Sequence, residues 1–403
     1  MLSTVKWLKW SIMTPDYDWL YTRTRAGKDR TPERARALLR QLGNPEQHMQ
    51  TIHVIGTNGK GSVCAMLEAG LNAGKWRVGK FTSPHLTHFS ERIRVNQQEI
   101  PEHQVAVFVE WAKTHAPEMP FFELTLGLAL QHFQQSGVEW AIMEAGVGGE
   151  KDATHALQDI AATLITNVDL DHQSTLGPTI RDIAKDKAGA IRAGVPVLTN
   201  ATGEALTIIQ GIAEDRDATL YTPESHPEMF VVPHPPRMQG SHQTTNAGLA
   251  LAALRVLNLA TPESCEAALN AQHAGRMEKF EIRGKTVLLD GAHNPHAARA
   301  LAQSVQHADT LLFGIMARKD AKETLDALAP VAAHRVYTHP GELGLDPEAL
   351  TRLHSGEVVL DALEALEVAL ERTPEGGTLL VAGSLYLIGK IRPKVLDRIQ
   401  RSD

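Results

Sequence analysis

The 403-residue chain lacks several features that would place it in other protein classes. It has only two cysteines, Cys64 and Cys265, which form neither a disulfide framework nor a zinc-binding pattern. No apolar run approaches the length of a membrane span, and the N-terminus, interrupted by charges such as Lys6 and Asp16, has no signal-peptide core. There is no excess of basic residues, since 47 acidic residues oppose 40 basic ones. We therefore expect a cytoplasmic protein with neither a nucleic-acid nor a membrane partner.

The length is too great for one typical hydrophobic core, so we expect two domains. Apolar strand-like runs alternate with amphipathic stretches, which is typical of a parallel sheet covered by helices. In the first part we predict strands at 51–55, 77–82, 139–144, 161–168 and 195–199, and helices at 62–74, 123–136, 179–193 and 243–257. The alternation restarts with a strand at 286–290, a helix at 296–307, and strands at 310–314, 334–337, 357–360 and 378–382.

The strongest motif is a glycine-rich turn between the strand at 51–55 and the helix that follows. Gly56, Gly59 and Gly61 let backbone N–H groups approach phosphates, Lys60 can reach the β- and γ-phosphates, and the Ser62 hydroxyl can face Mg²⁺. The start of the helix adds a positive dipole end. The motif departs from the common P-loop, and a glycine turn in an ordinary βα unit is the alternative. It favours an α/β fold in which residues 1–280 form a P-loop-type ATPase domain with a mostly parallel sheet. Residues 281–403 would form a smaller, Rossmann-like α/β domain.

Further motifs follow the loop in a fixed order. They are Thr82-Ser-Pro-His-Leu86, Glu91-Arg92-Ile93, Phe122-Glu-Leu-Thr125, Glu144-Ala-Gly-Val-Gly-Gly149, Asp152-Ala-Thr154, Asp171-His172, Asp186-Lys-Ala-Gly189, Asp290-Gly-Ala-His-Asn-Pro295 and Gly383-Ser-Leu-Tyr386. Together with the loop, they resemble the folylpolyglutamate synthase / dihydrofolate synthase family of the Mur ligase superfamily, from about residue 30 to the end.

The metal site predicted from this pattern centres on Glu144. Glu144 ends an apolar strand, where carboxylates point into the ligand crevice of parallel sheets, and hard oxygen ligands suit Mg²⁺. The resemblance adds Ser83 and Ser62 to this site and assigns His172 to a second Mg²⁺. It also implies that Lys187 is carbamylated by CO₂. From the pattern alone, Lys187 would be a solvated surface lysine and His172 a structural histidine.

The resemblance also implies nucleotide contacts. The expected ATP-binding residues are Gly56, Thr57, Asn58, Gly59, Lys60, Gly61, Ser62, Asn246, Arg276, Asp290 and His293. Arg276 would neutralise charge on a transferring phosphoryl group, and Asp290 would accept ribose hydroxyls. The expected catalytic residues are Lys60, Lys187, His172 and Arg276. His293 and Ser384 are the candidates for L-glutamate.

On the pterin side, the resemblance points to Phe122, Glu123, Leu124, Lys151, Asp152 and Ala153. An aromatic ring can stack on a flat heterocycle, and a carboxylate can accept hydrogen bonds from its N–H groups. Core packing is an equally good explanation for the phenylalanine. Residues 23–34 are expected to contribute as well. The sequence departs from the family at Glu150-Lys151 and at His155, where the family has Asn.

These features predict an ATP-dependent carboxylate–amine ligase. ATP would phosphorylate the carboxylate of a pteroate or folate, and L-glutamate would attack the acyl phosphate, as in dihydrofolate synthase and/or folylpolyglutamate synthase. The expected cofactors are ATP, two Mg²⁺ ions and the carbamate on Lys187, and the chain is expected to be monomeric. A peptidoglycan-type Mur ligase and a nucleotide-dependent switch protein are the alternatives.

Overall fold

The structure is a computed structural model that describes residues 14–25 and 30–400. The chain forms two compact units. Unit 1 comprises Met1–His85, Phe89–Pro233 and Asn246–Asn270, and unit 2 comprises Leu86–His88, His234–Thr245 and Ala271–Asp403. The predicted division at residue 280 stays a prediction; a strand at Glu278–Ile282 runs across it and pairs within the sheet of unit 2. Residues 1–13 of the predicted first domain, and 26–29 of the predicted substrate segment, lie outside the described residues.

Fourteen strands are described. They are β1 Gln50–Ile55, β2 Val78–Phe81, β3 Ile93–Val95, β4 Gln98–Glu99, β5 Trp140–Glu144, β6 Ile160–Ile165, β7 Val197–Thr199, β8 Leu220–Tyr221, β9 Glu278–Ile282, β10 Lys285–Leu289, β11 Ala308–Phe313, β12 Ala332–Tyr337, β13 Glu357–Val358 and β14 Thr378–Ala382.

The described α-helices alternate with these strands, as the sequence predicts. They are α1 Tyr17–Thr22, α2 Pro32–Gln41, α3 Lys60–Ala73, α4 Glu102–His115, α5 Phe121–Gln135, α6 Gln173–Leu176, α7 Ile180–Ala188, α8 Gly203–Asp215, α9 Ser241–Val256, α10 Pro262–Leu269, α11 Pro295–Val305, α12 Ala321–Leu328, α13 Pro347–Thr351, α14 Ala362–Arg372 and α15 Leu385–Gln400. None of the described helices is both long and apolar enough to cross a bilayer.

Unit 1 is built on an eight-stranded sheet with the order β4-β3-β2-β5-β1-β6-β7-β8. β1 pairs in parallel with β5 and with β6, and only β3 and β4 run antiparallel to their neighbours. A central parallel strand is covered on both faces, which explains why β1 is buried along nearly its whole length. The carboxyl ends of β1, β5 and β6 therefore meet at one edge of the sheet, where ligands bind in open α/β folds.

Unit 2 has a six-stranded sheet with the order β13-β12-β11-β14-β10-β9, in which only β9 is antiparallel. Side chains alternate between the faces of a strand. Leu311 and Phe313 of β11 therefore pack into one buried cluster, and Leu312 packs into another. Helices thus cover both faces of the sheet, and the predicted α/β fold class is confirmed.

Candidate active site

Space and backbone conformation both require glycine in the loop after β1. A Cβ atom on Gly56 would lie 1.8 Å from Thr166 Oγ1. Gly59 has a φ of +84°, and a Cβ atom there would lie 2.5 Å from Asn246 Oδ1. The structure thus places Asn246, a predicted nucleotide contact from α9, directly beside the loop.

The loop is fastened to the segment that follows β6. Asn58 N donates to Asn167 Oδ1 at 2.9 Å, and Thr166 Oγ1 donates to Asn58 O at 2.6 Å. Thr57 Oγ1 donates to Asp169 O at 3.2 Å. Our sequence analysis missed these anchors because it extended the strand to residue 168, whereas β6 ends at Ile165. The polar residues after the apolar run were the signal that would have identified them.

Two lysines share one acceptor at this loop. Lys60 Nζ donates to Gly56 O at 3.1 Å, and Lys187 Nζ donates to the same oxygen at 3.0 Å. Lys60 Nζ also lies 3.9 Å from Glu144 Oε1. Helix α3 begins at Lys60, and no side chain caps its N-terminus. The loop therefore presents an ammonium group and the positive end of a helix dipole at one place, which suits a phosphate.

Lys187 is a buried side chain, with only 2% of its surface exposed. Burial lowers the pKa of Lys187 to about 7, and the positive charge of Lys60 contributes to the lowering. The alternative of a solvated surface lysine is therefore wrong. Helix α7 ends at Ala188, earlier than predicted, and Gly189 follows as its C-cap.

Oxygen atoms that fit a magnesium ion lie near Lys60. Ser62 Oγ is buried and makes no hydrogen bond. Glu144 ends β5, is buried, and accepts a hydrogen bond from Ser83 N at 3.1 Å through Oε2. An unsatisfied buried hydroxyl and a buried carboxylate form the hard donor set that Mg²⁺ prefers. The predicted metal ligands Ser62 and Glu144 therefore fit the ion, and the backbone N–H of Ser83 places that residue beside Glu144.

His172 lies against its neighbour Asp171, whose Oδ1 is 4.0 Å from His172 Nε2. It has a left-handed backbone with a φ of 52°, and its N–H donates to Asp171 Oδ1 at 2.7 Å. Over the described residues, no three His, Cys, Asp or Glu side chains gather closely enough to hold a metal. The predicted metal set contains only two residues of those types, Glu144 and His172.

On the predicted pterin side, Asp152 is the centre of a buried network. Its Oδ2 accepts from Val147 N at 2.8 Å, and its Oδ1 accepts from Thr154 Oγ1 at 2.6 Å. Arg30 Nη2 lies 3.7 Å from Oδ2 and also donates to Val147 O. Thr154 Oγ1 is in turn 2.8 Å from His53 Nε2. The sequence motif includes Asp152 and Thr154 but assigns no role to Thr154. His53 was not predicted, because it lies within the apolar run of β1.

The other predicted pterin residues have different surroundings. Phe122 packs edge-on against Phe81, with 5.6 Å between ring centroids, and a Cβ atom on Gly146 would lie 2.8 Å from the Phe122 ring. Burial raises the pKa of Glu123, and the negative charge of Asp152 adds to this effect. The side chain of Leu124 is fully buried in the core of unit 1. Ala153 is also buried, whereas Lys151 is exposed.

In unit 2, the predicted residues cluster where three loops meet. Asp290 accepts from Met277 N at 2.9 Å and from Ala292 N at 2.8 Å. A Cβ atom on Gly291 would lie 3.1 Å from Arg276 Nη1. His293 Nδ1 lies 2.7 Å from Gly291 O. The buried Ser384 Oγ accepts from Tyr386 N at 3.1 Å, and the neighbouring Gly383 N donates to Ala292 O at 2.9 Å. Arg276, Asp290, His293 and Ser384 therefore come together within this unit.

Comparison with known families gives the class of the protein. A family described as the glutamate ligase domain of Mur ligases matches residues 275–385. With the α/β fold and the phosphate loop of unit 1, this match defines an ATP-dependent ligase of the Mur type.

Curated relatives narrow the assignment. The chain is 36% identical to a probable bifunctional folylpolyglutamate synthase/dihydropteroate synthase of Haloferax volcanii, over 89% of this chain and 48% of that protein, and thus spans about half of that relative's length. It is 31% identical to the folylpolyglutamate synthase of Lacticaseibacillus casei, over 94% of this chain and 97% of that protein. The chain belongs to the folylpolyglutamate synthase / dihydrofolate synthase family.

Solved structures agree with this assignment. FolC of E. coli, in complex with DHPP and ADP, matches with a TM-score of 0.85 and 27% identity, over 96% of this chain and 99% of that chain. A bifunctional folylpolyglutamate synthase/dihydrofolate synthase of Yersinia pestis, complexed with AMPPNP and a Mn ion, matches with a TM-score of 0.84 and 27% identity, over 95% and 98%. The prediction of an ATP-dependent glutamate ligase is confirmed, and the peptidoglycan-ligase and switch-protein alternatives lack comparable support.

Proposed function

We propose that this chain joins L-glutamate to the carboxylate of a pteroate or folate, using ATP to form an acyl phosphate. The observation that carries the proposal is the group at the carboxyl ends of β1 and β5. This group consists of the Lys60 ammonium, the Glu144 carboxylate and the unsatisfied Ser62 hydroxyl. It lies beside a loop whose conformation requires glycine at Gly56 and Gly59. Relatives with this family's name are solved with ADP and with AMPPNP.

The chain's own groups account for phosphate binding. Lys60 and the free N–H groups at the start of α3 would donate hydrogen bonds to the β- and γ-phosphates. Positive charge at this point stabilises the negative charge that develops during phosphoryl transfer and on the tetrahedral intermediate. Asn246, beside Gly59, would contact the nucleotide in unit 1. In unit 2, Arg276, Asp290 and His293 would do so.

Ser62, Ser83 and Glu144 would hold one Mg²⁺, and His172 with the carbamate of Lys187 a second. Magnesium would supply positive charge to the phosphate oxygens. The Yersinia pestis relative is complexed with a Mn ion, which supports a divalent metal in this family.

The Lys187 carbamate would form when the neutral amine attacks the carbon of CO₂, with loss of one proton from nitrogen. This replaces a cation with an anion next to the phosphate loop. The burial of Lys187 supports the proposal, because it lowers the pKa of the amine to about 7 and so favours the neutral form that reacts with CO₂. A free ammonium at this place would also repel a metal ion.

For the pterin, Asp152 would accept hydrogen bonds from the N–H groups of the heterocycle, and Phe122 would lie against its ring. Arg30, Glu123, Lys151 and the backbone of Leu124 and Ala153 would complete the substrate site. In unit 2, His293 and the buried Ser384 would bind L-glutamate. We also propose that the protein acts as a monomer in the cytoplasm, without a nucleic-acid or membrane partner.

Mass spectrometry of the products tests this function. The protein is incubated with ATP, Mg²⁺ and L-glutamate, together with dihydropteroate in one reaction and tetrahydrofolate in another. We expect a product heavier by one glutamyl residue in at least one reaction, formed together with ADP. Product from dihydropteroate identifies dihydrofolate synthase activity, and product from tetrahydrofolate identifies folylpolyglutamate synthase activity. ATP hydrolysis at the same rate without either acceptor, and without a new product, would refute the proposal.

A further inference from the structure

Unit 1 contains a cavity at the opposite end of β6 from the phosphate loop. It has a volume of about 410 Å³ and is lined by Arg36, residues 155–160, Arg192 and Val195. Ile160 begins β6 at this cavity, whereas Ile165 ends β6 next to the residues that anchor the loop. The cavity is therefore separate from the phosphate loop, and its lining includes none of the residues assigned to ATP or metal.

Positive charge dominates the lining. The Arg192 guanidinium donates to His155 O and to Leu157 O, the latter at 3.3 Å, and its Nη1 lies 3.2 Å from His155 Nε2. Among the described residues, no carboxylate forms an ion pair with Arg192. Arg36 donates to the same His155 carbonyl at 3.3 Å and pairs with Glu33. Asp159 is the single acidic residue of the lining, and its side chain is exposed.

The surroundings of Arg192 disfavour the positive charge on its guanidinium group. Burial lowers the pKa of Arg192, and the Arg36 and Arg216 guanidinium groups lower it further. Arg216 is held nearby, because it donates to Gly189 O at 2.9 Å and to Ile191 O. A bound anion would offset the mutual repulsion of these cations.

His155 lines the cavity and leaves one of its ring nitrogens without a hydrogen-bond partner. Burial, and then the charge of Arg192, lower the pKa of His155 to about 3, so that the imidazole is neutral. A guanidinium can only donate, so His155 Nε2 must accept from Arg192 and the ring proton must lie on Nδ1. Nδ1 is buried and has no hydrogen-bond partner. Beside the cavity, Arg192 thus has no carboxylate partner among the described residues, and the buried His155 Nδ1–H lacks an acceptor.

We propose that this cavity is a binding site for a phosphate group, either as inorganic phosphate or as part of a small phosphoester. Guanidinium groups bind phosphate through two parallel N–H···O bonds. The volume leaves room for a small organic group attached to the phosphate. The proposed ligase function uses neither Arg36 nor Arg192, so this site goes beyond it.

Isothermal titration with inorganic phosphate, and separately with glycerol 3-phosphate, tests the site. Phosphate can also bind at the glycine loop, so the Lys60→Ala variant separates the two locations. We expect the wild type to bind phosphate at this cavity, and we expect Lys60→Ala to retain one bound phosphate there. We expect Arg192→Gln and Arg36→Gln each to weaken this binding about tenfold or more, as the loss of a charge-assisted bond predicts. Arg181→Gln, which removes an exposed arginine paired with Glu204, should leave it unchanged.

Hydrogen–deuterium exchange locates the ligand independently. Phosphate should slow exchange in residues 155–160 and 190–195 of the wild type and of Lys60→Ala. Tighter binding of glycerol 3-phosphate than of phosphate would identify a phosphoester as the ligand, and the reverse would identify the free ion. If circular dichroism shows that Arg192→Gln does not fold, the phosphate affinity of Arg36→Gln tests the proposal instead. Binding that disappears in Lys60→Ala, or that survives in both arginine variants, would overturn the proposal, as would no binding of either probe.

Discussion

A buried hydrogen bond of 2.8 Å joins His53 Nε2 on the central strand β1 to Thr154 Oγ1. Thr154 Oγ1 lies 2.6 Å from Asp152 Oδ1, and the carboxylate can only accept, so the hydroxyl proton points to Asp152. Burial lowers the pKa of His53 to about 3, so that the ring is neutral and its Nε2–H donates to Thr154. A histidine in the sheet therefore orients the hydroxyl that holds the proposed pterin-binding carboxylate.

We predict that Thr154→Val and His53→Phe weaken pterin binding. Each change removes a hydrogen bond from the buried series that links His53, Thr154 and Asp152. Losing such a bond costs about 1–3 kcal/mol when a partner is left unsatisfied. The KM for the pteroate or folate substrate should rise about tenfold, while the KM for ATP stays near the wild-type value. His132→Phe, a change at another buried histidine of unit 1, is the control and should alter neither constant. Equal changes in both KM values would show that His53 supports only the general fold.

The same histidine predicts a loss of stability in acid. The pKa of His53 is about 3 in the folded protein, against 6.5 for an unperturbed histidine, so between these values only the unfolded chain binds the proton. The stabilisation that neutral His53 provides is fully present above pH 6.5. Below pH 6.5 its contribution to the free energy of unfolding falls by up to about 1.4 kcal/mol per pH unit. Urea unfolding at pH 6.5 and pH 5 should show a smaller decrease for His53→Gln than for the wild type. Parallel decreases in the two proteins would contradict this assignment.

We predict that Lys60→Ala abolishes ligation with little effect on folding. The ammonium contacts two loop carbonyls and lies near Glu144, so its loss should change the free energy of unfolding by only about 1 kcal/mol. Turnover should fall at least about a hundredfold, because charge on the transferring phosphoryl group is no longer stabilised. Product formation and thermal unfolding are measured on the same sample. The exposed Lys185 provides the control, and Lys185→Ala should keep full activity.

We predict that Glu144→Gln weakens metal binding directly. The amide oxygen can still accept from Ser83 N, but the negative charge is lost. Electron paramagnetic resonance of Mn²⁺ in the presence of ADP should show an affinity at least about tenfold weaker. Glu139→Gln, a change just before the other end of β5, should bind Mn²⁺ like the wild type. Unchanged Mn²⁺ binding in Glu144→Gln would remove Glu144 from the metal site.

We predict a carbamate on Lys187. After incubation with ¹³C-labelled bicarbonate, the wild type should give a carbamate signal in carbon NMR. Lys187→Ala should lack this signal and be nearly inactive, while Lys185→Ala on the same helix should keep both signal and activity. Removing CO₂ and bicarbonate from the assay should lower the activity of the wild type. A fully active protein without the signal would return Lys187 to the role of a buried structural lysine.

The sequence predicts the parallel core well and the edges poorly. Strands such as β1, β5 and β14 are apolar runs whose burial determines their type, so they lie where expected. β9 has the sequence Glu-Lys-Phe-Glu-Ile, whose polar residues do not predict a strand. The strand forms because it pairs antiparallel with β10. β3, β4 and β8 are too short to show a period of their own.

For the site, local patterns identify residues at the ends of strands or just after them, such as Glu144 and Lys60. They miss residues that act through contacts distant in the chain. The bond between His53 and Thr154 spans 101 positions, and Lys187 is 131 positions from Gly56. No local period encodes such contacts. For the same reason, burial of Lys187 emerged only from the folded structure.

The Gly56 carbonyl, which accepts from both Lys60 and Lys187, has a consequence for the order of events in the catalytic cycle. One oxygen cannot fully compensate two ammonium groups, so the resting loop holds repelling charges close together. Conversion of Lys187 to an anion leaves Lys60 as the only cation on that oxygen. Dissolved CO₂ would then prepare the loop for its metal ion, because the carbamate would attract a cation that the ammonium group would repel.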